Sequence, residues 1–290
     1  MKATNECVYC YLKQAVNCME HGNIKESDQY DILYKLMDLI KTFDINKSPA
    51  FNSTISILKT YELINNPDPF KEQKIVSNHN AKKLIPNINE YINESNDKLK
   101  AALHASSAGN IIDMGIYKDY DIEKTLLDTM KSAFSVDHYD LFTTKLKNSK
   151  DILIIGDNCG EIIFDYPVVK ILNQKGKNVY YAVKSGPILN DALYEDAIFA
   201  KIDDYATIIE TGSNDLGVNF NNTSKTFNEI FNKCELVIAK GQANFESLDD
   251  FEEGFEKIYF LLKIKCEKVA NIVEHSKYGD SVFFTRLGNN

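Results

Sequence analysis

The stretch ILIIGDNCGEIIFD, Ile152 to Asp165, decides the fold. Its first four residues are a continuous apolar run of strand length, and its second half reads as the start of a helix. A buried strand turning directly into a helix is the repeating unit of a parallel sheet covered on both faces. After Asp151 the same kind of run recurs as NVYYAVK, ATIIETG, ELVIAKG and KIYFLLKIK, with a late SVFFTRL, and helical segments lie between. The expected fold class is therefore α/β, an α/β/α sandwich with a mainly parallel sheet.

Ahead of that region, up to about residue 145, the period is helical. Tyr9, Leu12, Ala15, Val16 and Met19 recur at helix spacing, as do Ile32, Leu33, Leu36, Met37, Leu39 and Ile40. Asn46 to Pro49, Asn65-Asn66-Pro67-Asp68-Pro69 and Pro86 break the helices. A long amphipathic run follows, with Ile88, Tyr91, Ile92, Leu99, Ala102 and Leu103 on one face, and it leads into SAGNIIDMG. The expected division is a helical N-terminal domain over residues 1–100 and an α/β/α domain over residues 101–290.

The bulk properties exclude several classes. A hydrophobic content of 44% and a charged content of 26% are ordinary for a globular chain. A net charge of −9 argues against a general nucleic-acid binder. It leaves room for a small phosphorylated substrate, because a bound metal and a few lysines reverse the sign of one cleft. No stretch has the apolar length to span a bilayer, and no basic segment followed by an apolar run opens the chain. Six cysteines are too few for a disulfide scaffold of this size, so reduced thiols in the cytoplasm are expected.

In a parallel sheet the ligand crevice lies outside the carboxyl ends of the strands. The candidate strands end in Asp157, Lys184, Thr211, Lys240 and the Lys263/Lys265 region. Three lysines and a carboxylate on one edge meet the needs of a metal-plus-phosphate site, the acid holding the cation and the lysines the phosphate oxygens. At the opening junction, Gly156 permits a sharp turn and Gly160 lets a helix begin close to a ligand. Asp157 alone reads equally as a helix cap, and Glu161 as a favourable first-turn charge. Asp157-Asn158 followed by Glu161 exceeds what a cap needs, and Asp and Asn oxygens suit a divalent cation. Asn190-Asp191, after Gly186-Pro187, reads as a cap or as a third metal ligand beside Asp157. Lys240, at the start of KGQAN, is either solvated or a phosphate contact.

Cys7-Val8-Tyr9-Cys10 forms a CxxC pair, and on a helix Cys18 and His21 share its face. Cys7 and His21 would stand about 21 Å apart along that helix, too far for one metal. Buried helix thiols are the expected reading. His79, His104, His138 and His275 have no metal spacing. P-loop and dinucleotide fingerprints are absent, and Ser106 and Ser107 lack a nucleophile-elbow context.

In order and spacing, CVYCYLKQA, NPDPFKEQK, GNIIDMG, GDNCGEIIFD, VKSGPILNDALYEDA, AKGQANFESL and LLKIKC span almost the whole chain. Together they resemble the metal-dependent damage-control phosphatase family, also described as acidic-residue methyltransferase-like and formerly a domain of unknown function. The N-terminal cysteine pair resembles its prokaryotic branch. The resemblance implies a helical domain packed on an α/β/α domain that binds the metal and carries catalysis. It also implies hydrolysis of small phosphate monoesters, sugar phosphates or damaged metabolites, with Mn²⁺, Co²⁺, Ni²⁺ or Mg²⁺. By motif, Asp157, Asn158 and Asp191 correspond to the metal ligands, and Asp157, Asn158 and Glu161 to the catalytic set. Lys240 and Asn244 fall in the phosphate-contacting segment. Lys265 is the match to a later substrate-contacting lysine, with Lys263 competing. Asn110 and Asp113 match a motif lining the cleft. One departure is Pro167, expected to kink or shorten its helix.

Two other activities fit such an edge. An S-adenosylmethionine-dependent carboxyl methyltransferase would also place an acid at a parallel-strand end and needs no metal. A non-catalytic metal- or metabolite-binding protein would bind through the same residues without turnover. Sensitivity to a chelator separates the first from the phosphatase, and phosphate release separates the second. The expected partner is a small phosphorylated metabolite, with no nucleic acid and no membrane.

Overall fold

The computed structural model describes residues 1–109, 122–249 and 255–286. Helices α1 (Asn5–His21), α2 (Glu26–Ile40), α3 (Pro49–Leu63), α4 (Lys71–Lys83), α5 (Ile85–Glu94) and α6 (Lys98–Ala108) come first. The breakers act as capping chemistry. Ser48 caps α3, its Oγ accepting from the Phe51 N–H at 3.2 Å, with Pro49 in the first turn. Pro86 lies in the first turn of α5. The long amphipathic run is two helices, because Asp97 accepts from the N–H groups of Leu99 and Lys100, both at 3.1 Å, and starts α6 anew. On α1 the buried stripe is Tyr11, Ala15, Cys18 and Met19, and on α2 it is Ile32 and Leu36. Tyr9 and Met37, expected on those stripes, are exposed.

Helices α7 (Ile122–Lys131) and α8 (Tyr139–Asn148) lead to β1 (Asp151–Ile155). The alternation then runs α9 (Glu161–Gln174), β2 (Asn178–Val183), α10 (Tyr194–Phe199), β3 (Thr207–Glu210), α11 (Lys225–Lys233), β4 (Leu236–Lys240) and α12 (Gln242–Leu248). It closes with β5 (Ile258–Lys263), α13 (Glu267–Ile272) and β6 (Ser281–Phe284). The sheet order is β3-β2-β1-β4-β5-β6, with β6 antiparallel to β5 and the other pairs parallel. The α/β/α reading of the sequence therefore holds. Strand β1 lies between β2 and β4, and the winding direction reverses there, so the crevice belongs between the ends of β1 and β4.

All five residues of β1 are buried. Ile152 and Ile154 pack with Phe164, Leu103 and Phe142 on one face of the sheet. Leu153 and Ile155 pack with Phe227, Phe245 and Phe260 on the other. This is the two-residue strand period with apolar cover on both sides. Ala81, Leu84, Ile88 and Ile92 of α4 and α5, with the turn between them, join the first of these cores. Helix α9 continues past Pro167 to Gln174, so the proline does not shorten it. It lacks only the N–H that would serve the Ile163 carbonyl.

His104 of α6 stacks flat on Phe134, ring centroids 3.9 Å apart and planes at 9°. Burial, helped by Lys100, lowers its pKa to about 4. A histidine held neutral in the fold and protonated near pH 6.5 when unfolded supports stability fully above that pH. That support is lost as pH falls from 6.5 through 4. The melting temperature of His104→Phe should therefore fall less than that of the wild type between pH 7 and pH 4. Parallel curves from differential scanning calorimetry would contradict this.

Candidate active site

The site begins at the end of β1. The Gly156 N–H continues the ladder to the Ala182 carbonyl at 2.9 Å. A Cβ at Gly156 would sit 2.7 Å from the Tyr181 hydroxyl, so this position must be bare for the tyrosine to pass under the turn. The loop then pairs with the segment after β2. The Ala192 N–H donates to the Asp157 carbonyl at 2.9 Å, and the Cys159 N–H to the Asn190 carbonyl at 2.8 Å. Asn158 and Asp191 thus stand opposite one another as an isolated antiparallel bridge. Backbone pairing alone brings Asp157, Asn158 and Asp191 together.

The capping alternative does not describe these residues. Helix α9 has Gly160 as its N-cap with no side-chain cap. The Gly160 N–H is instead taken by Asn78 Oδ1, reaching over from α4 at 2.7 Å, while Asn78 Nδ2 donates to Asp196 at 2.7 Å. Nor does Asp191 cap α10, since the Leu193 N–H goes to Asp196 at 2.9 Å. Both aspartates keep their carboxylates for other work.

A cavity of about 280 Å³ opens against them. It is lined by Asp157, Asn158 and Asp191 from the two loops, by Lys265 after β5, and by Tyr11, Gln14 and Ser53 from α1 and α3. Lys265, not Lys263, belongs to this lining. Its N–H is fixed by Gln242 Oε1 at 2.8 Å, and Gln242 Nε2 donates to Glu246 at 2.8 Å. Cys7, Cys10 and Cys266 also line the cavity. Cys10 is exposed and Cys7 half-buried, so the expectation of buried thiols fails for this pair. The first turns of α1 run past its packed stripe and reach the cavity.

Glu161, Lys240 and Asn244 are each about 1% exposed and stand outside that lining. The Lys240 ammonium pairs with Glu161 and with Asp165, the latter at 2.6 Å. The sequence reading offered solvent or phosphate for it; the structure turns it to two carboxylates in the core. Burial alone would discharge it, but Asp165 and Glu161 outweigh burial and raise its pKa. Asn244 Nδ2 donates to the carbonyls of Gly156, at 3.1 Å, and Lys240, at 2.6 Å, tying the ends of β1 and β4 together. Asn110 and Asp113 lie outside the described residues.

Residues 3–280 match the model of the damage-control phosphatase ARMT1-like domain. The chain belongs to that family. It is 35% identical to an uncharacterized protein of Methanocaldococcus jannaschii, over 99% of this chain and 96% of that one. It is 32% identical to a damage-control phosphatase of Pyrococcus horikoshii, over 93% of each. A crystal structure of a DUF89 family protein from Pyrococcus horikoshii matches with a TM-score of 0.86 at 30% identity, covering 98% of this chain and 99% of that one.

The residues at the cavity form a donor set that fits a cation. Burial pushes the carboxyls of Asp157, Asp191 and Glu161 upward, against the opposing pull of Lys265, Lys240 and Lys184. A divalent ion bound among them would favour their charged forms. Lys184 is shared, its Nζ donating to the Gly217 carbonyl at 2.5 Å and standing 3.7 Å from Asp191. Asn158 Nδ2 donates to Asp157 Oδ2 at 3.2 Å, which leaves the amide oxygen as a donor to a metal. Asn244 Oδ1 is buried with no hydrogen-bond partner among the described residues. No three His, Cys, Asp or Glu side chains gather as a metal-holding group among the described residues. A cation here would be held by two carboxylates and an amide, with the remaining positions going to water or substrate oxygens, as ions that favour oxygen accept.

The sequence reading missed Asp165, Tyr181 and Asn78, and weighed Ser106 only as a nucleophile, whereas its Oγ donates to Asp165 at 2.6 Å. One signal existed for Asp165: it follows Glu161 by one helical turn and shares its face.

Proposed function

We propose that this member of the phosphatase family hydrolyses small phosphate monoesters with one divalent cation, Mn²⁺, Co²⁺, Ni²⁺ or Mg²⁺, held by Asp157, Asn158 and Asp191. The observation that carries the reading is the meeting of two buried carboxylates and an amide with Lys265 on one small cavity at the switch point of the sheet. When bound, the cation would supply Lewis acidity toward a phosphoryl oxygen and a water able to attack at neutral pH. Lys265 offsets charge on the phosphoryl oxygens as the leaving oxygen departs. Asp157 orients the attacking water and accepts its proton at a carboxylate oxygen. Glu161 and Lys240 act from behind the wall, setting the charge that Asp157 feels.

A cavity of about 280 Å³ is at the small end of ligand pockets, which suits a sugar phosphate or a similarly sized metabolite. The relatives' printed name supports damaged metabolites as the substrate class. No helix among the described residues is long and apolar enough to cross a membrane.

The test is phosphate release from an aryl phosphate and a panel of sugar phosphates, with each of the four ions and with excess chelator. Metal-stimulated, chelator-sensitive release is expected. Absence of release under every condition would remove the reading, and methyl transfer that survives the chelator would replace it.

A further inference from the structure

Asp165 is a buried acid with no place in the reaction just described. Its carboxylate accepts from Ser106 Oγ at 2.6 Å, from Tyr181 OH at 2.6 Å and from Lys240 Nζ at 2.6 Å. These three donors come from α6, β2 and β4, and all four side chains are almost fully buried. Buried charges of this kind are costly to hold, and replacing a whole buried ion pair by apolar side chains of similar volume is often neutral or stabilising. The network is better explained by what it touches. Gly156, directly before Asp157, lies against the Tyr181 hydroxyl. Lys240, directly before Gly241, is clamped by Asp165, and the Asp157 carboxylate rests on the Gly241 Cα. Glu161, whose backbone packs on Gly109 at the end of α6, shares the same lysine. Both flanks of the Asp157 carboxylate are therefore tied to a single acid one layer below.

We propose that Asp165 is a positioning residue for the phosphatase reaction. Held by Ser106, Tyr181 and Lys240, its carboxylate fixes the lysine between Glu161 and itself and so fixes the wall against which Asp157 is set. The inference rests on the phosphatase reading above. It separates alignment from binding, since Asp165 meets neither the cavity nor the Lys265 side of it. A misaligned reacting group costs turnover before it costs affinity.

The experiment is steady-state kinetics of the full chain with Mn²⁺ for the wild type, Asp165→Asn and Tyr181→Phe, at temperatures well below each melting transition. Asp165→Asn should lower kcat about 10- to 100-fold, while KM and the Mn²⁺ concentration for half-activation move by less than about threefold. Tyr181→Phe, which removes one hydroxyl, should lower kcat about three- to tenfold, and the double variant should lose little more than Asp165→Asn alone. A purely structural role would lower the melting temperature and leave kcat of the folded enzyme unchanged, and that result overturns the proposal. So would a rise in KM at constant kcat. If Asp165→Asn does not fold, Tyr181→Phe decides by the same criteria. A wild type without metal-stimulated phosphate release removes the phosphatase reading itself; an active wild type with unaltered variants removes this inference alone.

Discussion

Alanine at Gly241 is expected to lower metal-stimulated turnover by at least about 100-fold, although it adds one methyl group to a residue outside the cavity lining. Two independent features converge on that methyl. The backbone at Gly241 has φ 79° and ψ 162°, a region open in practice to glycine alone. Forcing another residue there costs about 1–3 kcal/mol. The added Cβ would also fall 2.0 Å from Asp157 Oδ2 and 2.2 Å from its Cγ. The glycine backbone does not yield easily, since Gly241 is the N-cap of α12 and its N–H is bound to the Leu261 carbonyl at 3.0 Å. The Asp157 carboxylate must therefore swing aside by roughly 1 Å or more, a displacement able to cost about two orders of magnitude. Mn²⁺ titration of Gly241→Ala should show weakened metal activation together with the fall in kcat. Asp157→Ala should show the same loss, and the double variant little more, because both remove one ligand. Turnover of Gly241→Ala within about threefold of the wild type would contradict the assignment of Asp157 to the reacting centre.

The glycine illustrates which parts of the site were legible in the sequence. Strands and crevice could be read because β1 and β4 are apolar on both faces, and such runs occur in few architectures. That Asp157, Asn158 and Asp191 would lie near one another could be read from position, since loops after neighbouring parallel strands share one edge of the sheet, but their role as metal ligands was implied only by the resemblance. The direction of Lys240 was harder. Along β4 it alternates with Val237 and Ala239 and so shares the face of Leu236 and Ile238, the side covered by α6 and α9. That period points the lysine into the core, but its two carboxylate partners come from another element, and no local pattern announces them. The split between α5 and α6 was legible in principle through Asp97, a strong N-cap, and the apolar stripe running through both helices masked it. The cysteine pair misled for a related reason. A stripe predicts burial only as far as there is a neighbour to cover it, and at the start of α1 the neighbour is a cavity.

Methionine at Lys240 is expected to destabilise the fold by about 3–5 kcal/mol, the cost of breaking a buried ion pair from one side. The lysine is the one cation paired with both Glu161 and Asp165 among the described contacts, and all three side chains are almost wholly shielded from water. Methionine matches its length, so lost volume cannot account for the effect. What remains is two carboxylates facing each other in the core. Burial already pushes Glu161 upward, and removal of Lys240 takes away the largest opposing pull. In the variant at least one of these acids must bind a proton in the native state that it releases on unfolding near neutral pH. A folded-state pKa above the unfolded value means stability that is present at low pH and lost as pH rises through the folded value. The deficit of Lys240→Met should therefore be larger at pH 8 than at pH 6, measured by urea unfolding of both proteins at each pH. Asp165→Asn in the Lys240→Met background should recover part of the deficit, because it removes one of the stranded charges, whereas in the wild-type background it should destabilise. That reversal of sign is the signature of a charge balance inside the wall. A Lys240→Met deficit below about 1 kcal/mol, or one independent of pH, would mean that the ammonium is not the counterion of these two acids.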